Sequence, residues 1–324
     1  MNAPSKFRAI LLCGAVVATF WSTDTVAAAT GSFERTLQVD EAIVLDVSTG
    51  SGTIDISVGN SGRVEITGHI TVRHRTIFGW FDKGEDDLVA LAELFENEPP
   101  VSLSDSRLQV GHVRDKRYGR NVTIDYEIVV PRSTTVESHT GSGSQTIVDV
   151  DSSVTASTGS GRIKLANIGS DVNVSTGSGS ITAEGVAGAF EAHSGSGDVS
   201  LTQVAPGDVV VTTGSGSSEL QGIVGALRVK AGSGRIIVDG QQDGAWSLDT
   251  GSGSVRVSLP TDAAFKLDAE SGSGSINIDH PLTVTGRISK QHLRGEVRGG
   301  GDLLTIETGS GSIRIEQGGR DGRL

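Results

Sequence analysis

The residues of this 324-residue chain that could do chemistry are its 7 histidines, its 39 aspartates and glutamates and its abundant serines. Their spacing decides which chemistry is open to them. No serine stands in a G-x-S-x-G elbow, there is no H-E-x-x-H, and neither a G-x-x-x-x-G-K-[ST] loop nor a G-x-G-x-x-G opening a helix occurs. His139 and His193 each stand two residues before a Gly-Ser-Gly triplet but fall three repeats apart, whereas two ligands of one zinc must both lie about 2 Å from it. His69, His74, His112, His280 and His292 follow no i, i+4 or Cys/His pattern and are expected on the surface. Asp249, Glu270 and Glu307 share one outward rank of the repeat, where the chemistry on offer is weak cation binding. The sequence therefore predicts no catalytic, cofactor-binding or metal-binding residues and no enzyme.

What positions these residues is a repeat. Gly-Ser-Gly begins at Gly50, Gly141, Gly159, Gly177, Gly195, Gly214, Gly232, Gly251, Gly272 and Gly309, with successive spacings of 18, 18, 18, 19, 18 and 19 between 141 and 251. The gap of 91 before this run is close to five periods, and the final gap of 37 is close to two. Four and six residues after eight of the ten triplets begin stand aliphatic pairs such as Ile163 and Leu165, Ile181 and Ala183, Ile236 and Val238, and Ile313 and Ile315. A second alternating pair precedes most of the triplets, such as Val172 and Val174, Phe190 and Ala192, or Trp246 and Leu248. Each unit thus reads as two short strands with one apolar face, joined by a second corner such as Asn167-Ile168-Gly169-Ser170. Strands this short bury their apolar faces only by stacking, each on its counterpart one repeat away at about 4.8 Å.

The fold expected is all-β: a parallel β-solenoid of about ten coils of ~18 residues, with one short helical excursion. Glycine belongs at the triplet corners because they demand either positive φ or the absence of Cβ, and the neighbouring Ser and Thr hydroxyls are placed to satisfy corner amides. The composition agrees, with 45 glycines against only 8 Phe, 3 Trp and 2 Tyr. Thin aliphatic layers exclude large rings.

The ends of the chain read differently. Lys6 and Arg8, the apolar run Ala9 to Trp21 and the small residues of Val26-Ala27-Ala28-Ala29 have the form of a secretory signal over 1–29. The single cysteine, Cys13, falls inside it behind Leu12, so the exported chain is expected to carry neither a lipid anchor there nor a disulfide. The expected organisation is this signal, N-terminal solenoid coils over 30–72, an aromatic-rich excursion over 73–120, the main solenoid over 121–317 and a tail over 318–324. Within the excursion, Leu88, Leu91, Leu94 and Phe95 have helical spacing over Glu85 to Asn97, which Pro99-Pro100 ends. It serves either as a cover for one end or side of the solenoid or as a partner-binding element, with Phe78, Trp80 and Phe81 as candidate contacts.

Net charge is −12, which repels phosphate backbones and anionic membrane surfaces, so nucleic acid is not an expected partner. No integral membrane segment is expected after signal cleavage. From 131 onward the only aromatic residues are Phe190, Trp246 and Phe265, all in interior columns, so no sugar-stacking platform is visible. The threonine rank before the triplets is one column wide and lies at a corner, which makes no flat ice-binding face.

The run Val122-Thr123-Ile124-Asp125-Tyr126-Glu127-Ile128-Val129-Val130-Pro131, followed by Val136 and Thr140-Gly141-Ser142-Gly143, resembles the Y-x-I-x-V-P…T-G-S-G signature of a large bacterial family of exported β-strand-repeat proteins labelled as adhesins, a domain of unknown function. The resemblance covers about 40 to 317. It implies a β-solenoid in the cell envelope, periplasm or extracellular space, and no catalytic residues. Ser289 to Gly301, with Lys290, Arg294 and Arg298, reads as a degenerate, more basic coil. The function expected is a non-catalytic adhesin or scaffold surface meeting a protein or glycan partner. The alternatives are a polysaccharide-binding or polysaccharide-cleaving β-helix and an envelope-stress signalling partner.

Overall fold

The structure is a computed structural model and describes residues 28–39, 42–73, 85–112, 122–284 and 289–318. Its regular secondary structure is nearly all β, with the single described helix at Glu85–Asn97. The chain divides into two compact units, 1–147 and 148–324.

The 148–324 unit is a parallel β-solenoid. Its pre-triplet strands pair in register, so that Val154, Val172, Phe190, Val209, Leu227 and Trp246 form one buried column. Its post-triplet strands do the same through Ile163, Ile181 and Val199 and then Ile236 and Val255. Period-2 alternation is the cause: the residues between these positions point outward.

Where two corners could share one explanation, the structure separates them. No glycine of a Gly-Ser-Gly triplet has positive φ. Their necessity is space. A Cβ on Gly179, Gly197, Gly216, Gly234 or Gly253 would overlap the carbonyl oxygen of the equivalent glycine one coil below. The Thr or Ser before the triplet is buried and ties two coils together. Thr176 Oγ1 accepts the Gly179 N–H at 3.0 Å and donates to the Gly161 carbonyl at 3.2 Å. Thr213, Thr250 and Thr308 repeat both bonds on their own coils. Positive φ belongs to the second corner instead, at Asp149 (64°), Asn167 (55°), Gly185 (75°) and Gly222 (69°), with Asn167 Nδ2 donating to Asp149 Oδ1 at 2.9 Å.

Coil order departs from chain order at the C-terminal end. The strand Asp302–Thr308 lies between the strand Ile236–Thr250 and the strand Phe265–Ser271, parallel to both. Ile313–Gln317 likewise lies between Val255–Leu259 and Ile276–Ile278. The segment expected as a degenerate coil is none. His292–Val297 runs antiparallel to Phe265–Ser271, and Leu282–Val284 runs antiparallel to His292–Val297. It carries no Gly-Ser-Gly triplet.

The 1–147 unit corrects the other long gap. Val44–Thr49 and Ile54–Val58 form a coil whose corner stacks directly under that of Thr135–Thr140 and Gln145–Val148, since a Cβ on Gly141 or Gly143 would overlap the Gly50 or Gly52 carbonyl. The 91-residue gap is therefore one coil step plus an insertion, not five coils. Around the first coil, Ala28–Gln38 and Arg63–Arg73 are not coil strands, as expected for 30–72, but an antiparallel pair. Arg63–Arg73 continues antiparallel onto Val122–Val130, which is parallel to Ile54–Val58. Eleven-residue strands without a corner inside them pair as hairpin-like ribbons rather than turn a coil. Helix Glu85–Asn97 lies on these two strands through Leu88, Ala92 and Phe95, while Leu94 points to solvent. Arg35 reaches its C-terminal carbonyls, Nη2 donating to the Asn97 oxygen at 3.2 Å, which supplies the cation the helix's own last turn lacks. Ser32 N–H donates to Glu96 Oε1 at 2.8 Å.

Replacing Thr250 by Val removes both hydroxyl bonds at a buried corner and should destabilise the unit by about 1–3 kcal/mol. Ala231 is the one member of this rank in the 148–324 unit without a hydroxyl. Ala231→Thr should restore the pair of bonds and stabilise by about 1 kcal/mol. Gly197→Ala, which drives a methyl into a backbone carbonyl, should cost on the order of 3 kcal/mol. Denaturant unfolding of the three variants checks the order, and equal stability of Thr250→Val and the parent would contradict the ladder.

Candidate interaction surface

Outward residues are what the stack leaves for contact with other molecules. Of the sequence-predicted contacts, Phe78, Trp80 and Phe81 lie outside the described residues, as does His74. The helix that follows them presents Val89 and Leu94 outward, at 38% and 43% exposure.

On the 148–324 unit, the outward rank expected to align Asp249, Glu270 and Glu307 does so more closely than chain order suggests. Asp249 opposes Glu307, and Glu307 opposes Glu270. Lys230 borders this file on one side and His292 on the other. Among the described residues no group of three or more His, Cys, Asp or Glu side chains is arranged to hold a metal ion. Further along the same face an open groove of about 320 Å³ is lined by residues that include Thr155, Asp171, Asn173, Glu191, Asp208 and Val210. Its carboxylates also serve the fold. Asp171 Oδ1 accepts the Ala189 N–H at 2.9 Å and Asp208 Oδ1 the Ala226 N–H at 3.0 Å. Asn173 Nδ2 donates to Glu191 Oε2 at 3.3 Å, and Glu191 Oε1 lies 3.2 Å from His193 Nε2. Such a groove offers acceptors to hydroxylated or cationic ligands.

The threonine rank before the triplets is buried with its hydroxyls engaged, and so offers no surface at all. Phe190, Trp246 and Phe265 are interior, as the columns predict, and the Trp246 indole N–H donates to the Gly225 carbonyl at 2.8 Å.

Two charge clusters had no signal in the sequence, because their members are distant along the chain. In the 1–147 unit, Arg107 bridges Asp46 (3.1 Å) and Glu137 (2.8 Å), while His112 Nε2 stands 2.9 Å from Asp46 Oδ1. Burial pushes the Asp46 carboxyl up, but hydrogen bonds from His112, Gln109 and Arg107 outweigh it and hold the group below its usual range. In the 148–324 unit, Arg294 Nη2 lies 2.7 Å from Asp268 Oδ2 and His292 Nε2 lies 3.2 Å from Oδ1. The Arg294 bond chiefly, with His292 adding to it against partial burial, holds Asp268 low. Both clusters fasten strands that are distant along the chain.

His280 departs from the surface position expected of it. It is buried edge-on against Phe265, with ring centroids 5.5 Å apart, its Nε2 lies 3.3 Å from the Glu316 carbonyl, and Nδ1 has no partner among the described residues. Burial chiefly, helped by Arg298 and opposed by the Glu316 carbonyl and Asp279, lowers its pKa from the ordinary 6.5. Between the lowered and the ordinary value the unfolded chain binds a proton that the folded chain does not, so stability falls as pH drops below 6.5 and levels off once the folded imidazole protonates. Thermal melts across that range should show this slope in the parent and a shallower one in His280→Met; identical slopes would refute the assignment.

The Toastrack DUF4097 family model matches residues 102–316. Among solved structures, a candidate cell adhesion protein from Clostridium sporogenes is similar over 89% of this chain and 100% of its own, at 15% identity and a TM-score of 0.26. A candidate adhesin from Bacteroides fragilis is similar over 88% and 97%, at 13% identity and 0.33. A protein from Parabacteroides distasonis described as a candidate lipid-binding protein is similar over 87% and 96%, at 11% identity and 0.42. No curated protein matches the chain. With one family model spanning 102–316 of 324 residues, the chain belongs to the Toastrack DUF4097 family.

Proposed function

We propose that the chain is exported and acts, without catalysis, as a rigid surface that displays in-register polar and charged rows to a protein or glycan partner in the cell envelope or outside the cell. One observation carries this reading. The corner hydroxyls and amides of the stack are engaged in holding one coil on the next, while the outward ranks, such as Asp249, Glu307 and Glu270, repeat at the strand spacing of about 4.8 Å. A surface of that kind has multivalent contact to offer a repetitive partner, because each added row engages at the effective concentration set by the row before it. Export is supported by the charged, apolar and small-residue zones of 1–29, and an adhesin role by the resemblance of the Tyr126 strand and the T-G-S-G corners.

Expression of the full chain with a C-terminal tag should give a mature protein in the periplasm or medium whose mass corresponds to loss of about the first 29 residues. Cytoplasmic retention of the unprocessed chain would overturn export. On a glycan array, with a parallel assay for released reducing ends, binding without release is the expected result. Turnover of any polymer would replace the surface reading by that of a polysaccharide-cleaving β-helix.

A further inference from the structure

The coil Asp302–Gln317 is held on both edges by coils that precede it in the chain. Leu304 is paired with Trp246 on one side and Leu267 on the other, Thr308 with Thr250 and Ser271, and Ile313 with Val255 and Ile276. We propose that this coil is exchangeable, and that the slot between coils 246–259 and 265–278 is a docking site for the same coil of a second copy of this chain.

Four features support the exchange. The slot can close when empty, because its two walls carry the same corner chemistry as the coil that fills it. Thr308 Oγ1 donates to the Gly253 carbonyl at 2.8 Å and Ser271 Oγ to the Gly311 carbonyl at 2.8 Å. With the coil withdrawn, the Ser271 hydroxyl and the Gly253 carbonyl are the matching halves of that same bond, so the stack re-forms one coil shorter instead of exposing two raw edges. The hinge is short and bent. Arg298, Gly299 and Gly300 have φ of 49°, 85° and 84° in succession, and a Cβ on Gly301 would overlap the Ala264 carbonyl as the chain crosses the start of the Phe265–Ser271 strand. Glycine takes such angles freely, but Arg298 holds a left-handed φ that a side chain disfavours, and a short hinge with a disfavoured residue in it invites exchange between copies.

Charge opposes the coil at one rank, although Arg256 Nε of the neighbouring coil lies 3.8 Å from its Glu316 Oε1. Glu307 enters between Asp249 and Glu270, and like charges directly opposed across strands are destabilising. Finally, the withdrawn coil cannot remain in water unpartnered, since Leu304, Ile306, Ile313 and Ile315 are all fully buried in the slot. The acceptor that matches its spacing, its triplet corner and its hydroxyl ladder is the equivalent slot of another copy.

Cysteine pairing tests this on the full chain, with Cys13→Ser in every variant so that no other thiol is present. Asp249 and Glu307 are exposed, directly opposed residues of parallel strands, a separation of about 4.8 Å that a disulfide spans. The double variant Asp249→Cys/Glu307→Cys should oxidise within one chain. An equimolar mixture of the two single variants, incubated just below the onset of melting and then oxidised, should give a covalent dimer that neither variant gives alone. A mixture that stays monomeric while the double variant closes its own disulfide overturns the proposal. Dimers formed equally by a single variant alone overturn it too, as does a double variant that fails to close, because the coil then does not occupy the slot.

Discussion

Stacking one coil on the next brings backbone onto backbone at the Gly-Ser-Gly corner, and most of the molecule follows from making that approach possible. A carbonyl of one coil lies where the Cβ of the next would be, so glycine is required at the first and third triplet positions for space and not for conformation. The approach also buries an N–H and a carbonyl that water cannot reach, and one hydroxyl from the preceding Thr or Ser satisfies both. A buried donor or acceptor left alone forfeits about 1–3 kcal/mol, so the rank is nearly invariant in chemistry, whereas the serine between the glycines is exposed. The glycine excess and the scarcity of rings have this one origin: corners without side chains set the coils close together, and the layer between two such faces accommodates aliphatic chains with few aromatics.

The second corner solves a different problem by a different means. There the chain reverses through left-handed φ at Asp149, Asn167, Gly185 and Gly222, and the side chains of Asp149 and Asn167 join successive coils by a hydrogen bond. Asn and Asp tolerate that conformation where β-branched residues do not, so this corner can vary in sequence as the triplet corner cannot. The 1–147 unit applies a third device. Its long antiparallel strands take a helix on their outer side, and that helix is fastened by Arg35 and Ser32 at its C-terminal end. A row of unpaired strand atoms invites association with other chains, and a covering helix is one of the standard protections.

Which residues share a column could be read from the sequence, because period 2 within a strand and a period near 18 between corners fix the face and the rank of each side chain. Val172, Phe190 and Trp246 fall in one column as predicted, and Asp249, Glu270 and Glu307 share the rank assigned to them. Which coils are neighbours could not be read. The gap of 91 resembled five coils and is one step with an insertion; the gap of 37 resembled two and contains an antiparallel strand followed by a coil that turns back into the stack. Arg107 meets Asp46 and Glu137 for the same reason, through a pairing of strands far apart in the chain. His280 was misplaced because a histidine beside an acidic residue in a short edge segment has no local mark of burial; Phe265, which covers it, belongs to the other strand of its coil.

Uniform corners explain why the order is silent in the sequence. A Thr-Gly-Ser-Gly corner accepts any other as its neighbour, so the ladder that holds the stack together carries no information about sequence order. Order must come from elements that are not repeats. Phe265–Ser271 has two edges, and His292–Val297 occupies one of them, with Asp268 held by Arg294 and His292 across that pairing. The last coil is then left the opposite edge, which is the one facing Ile236–Thr250, and it is accepted there although this sets Glu307 between two carboxylates. A pairing chosen for its charges would not place three acids in file. The antiparallel strand therefore decides where the coil goes, and the stack tolerates the charges because hydroxyl, carbonyl and aliphatic column all match.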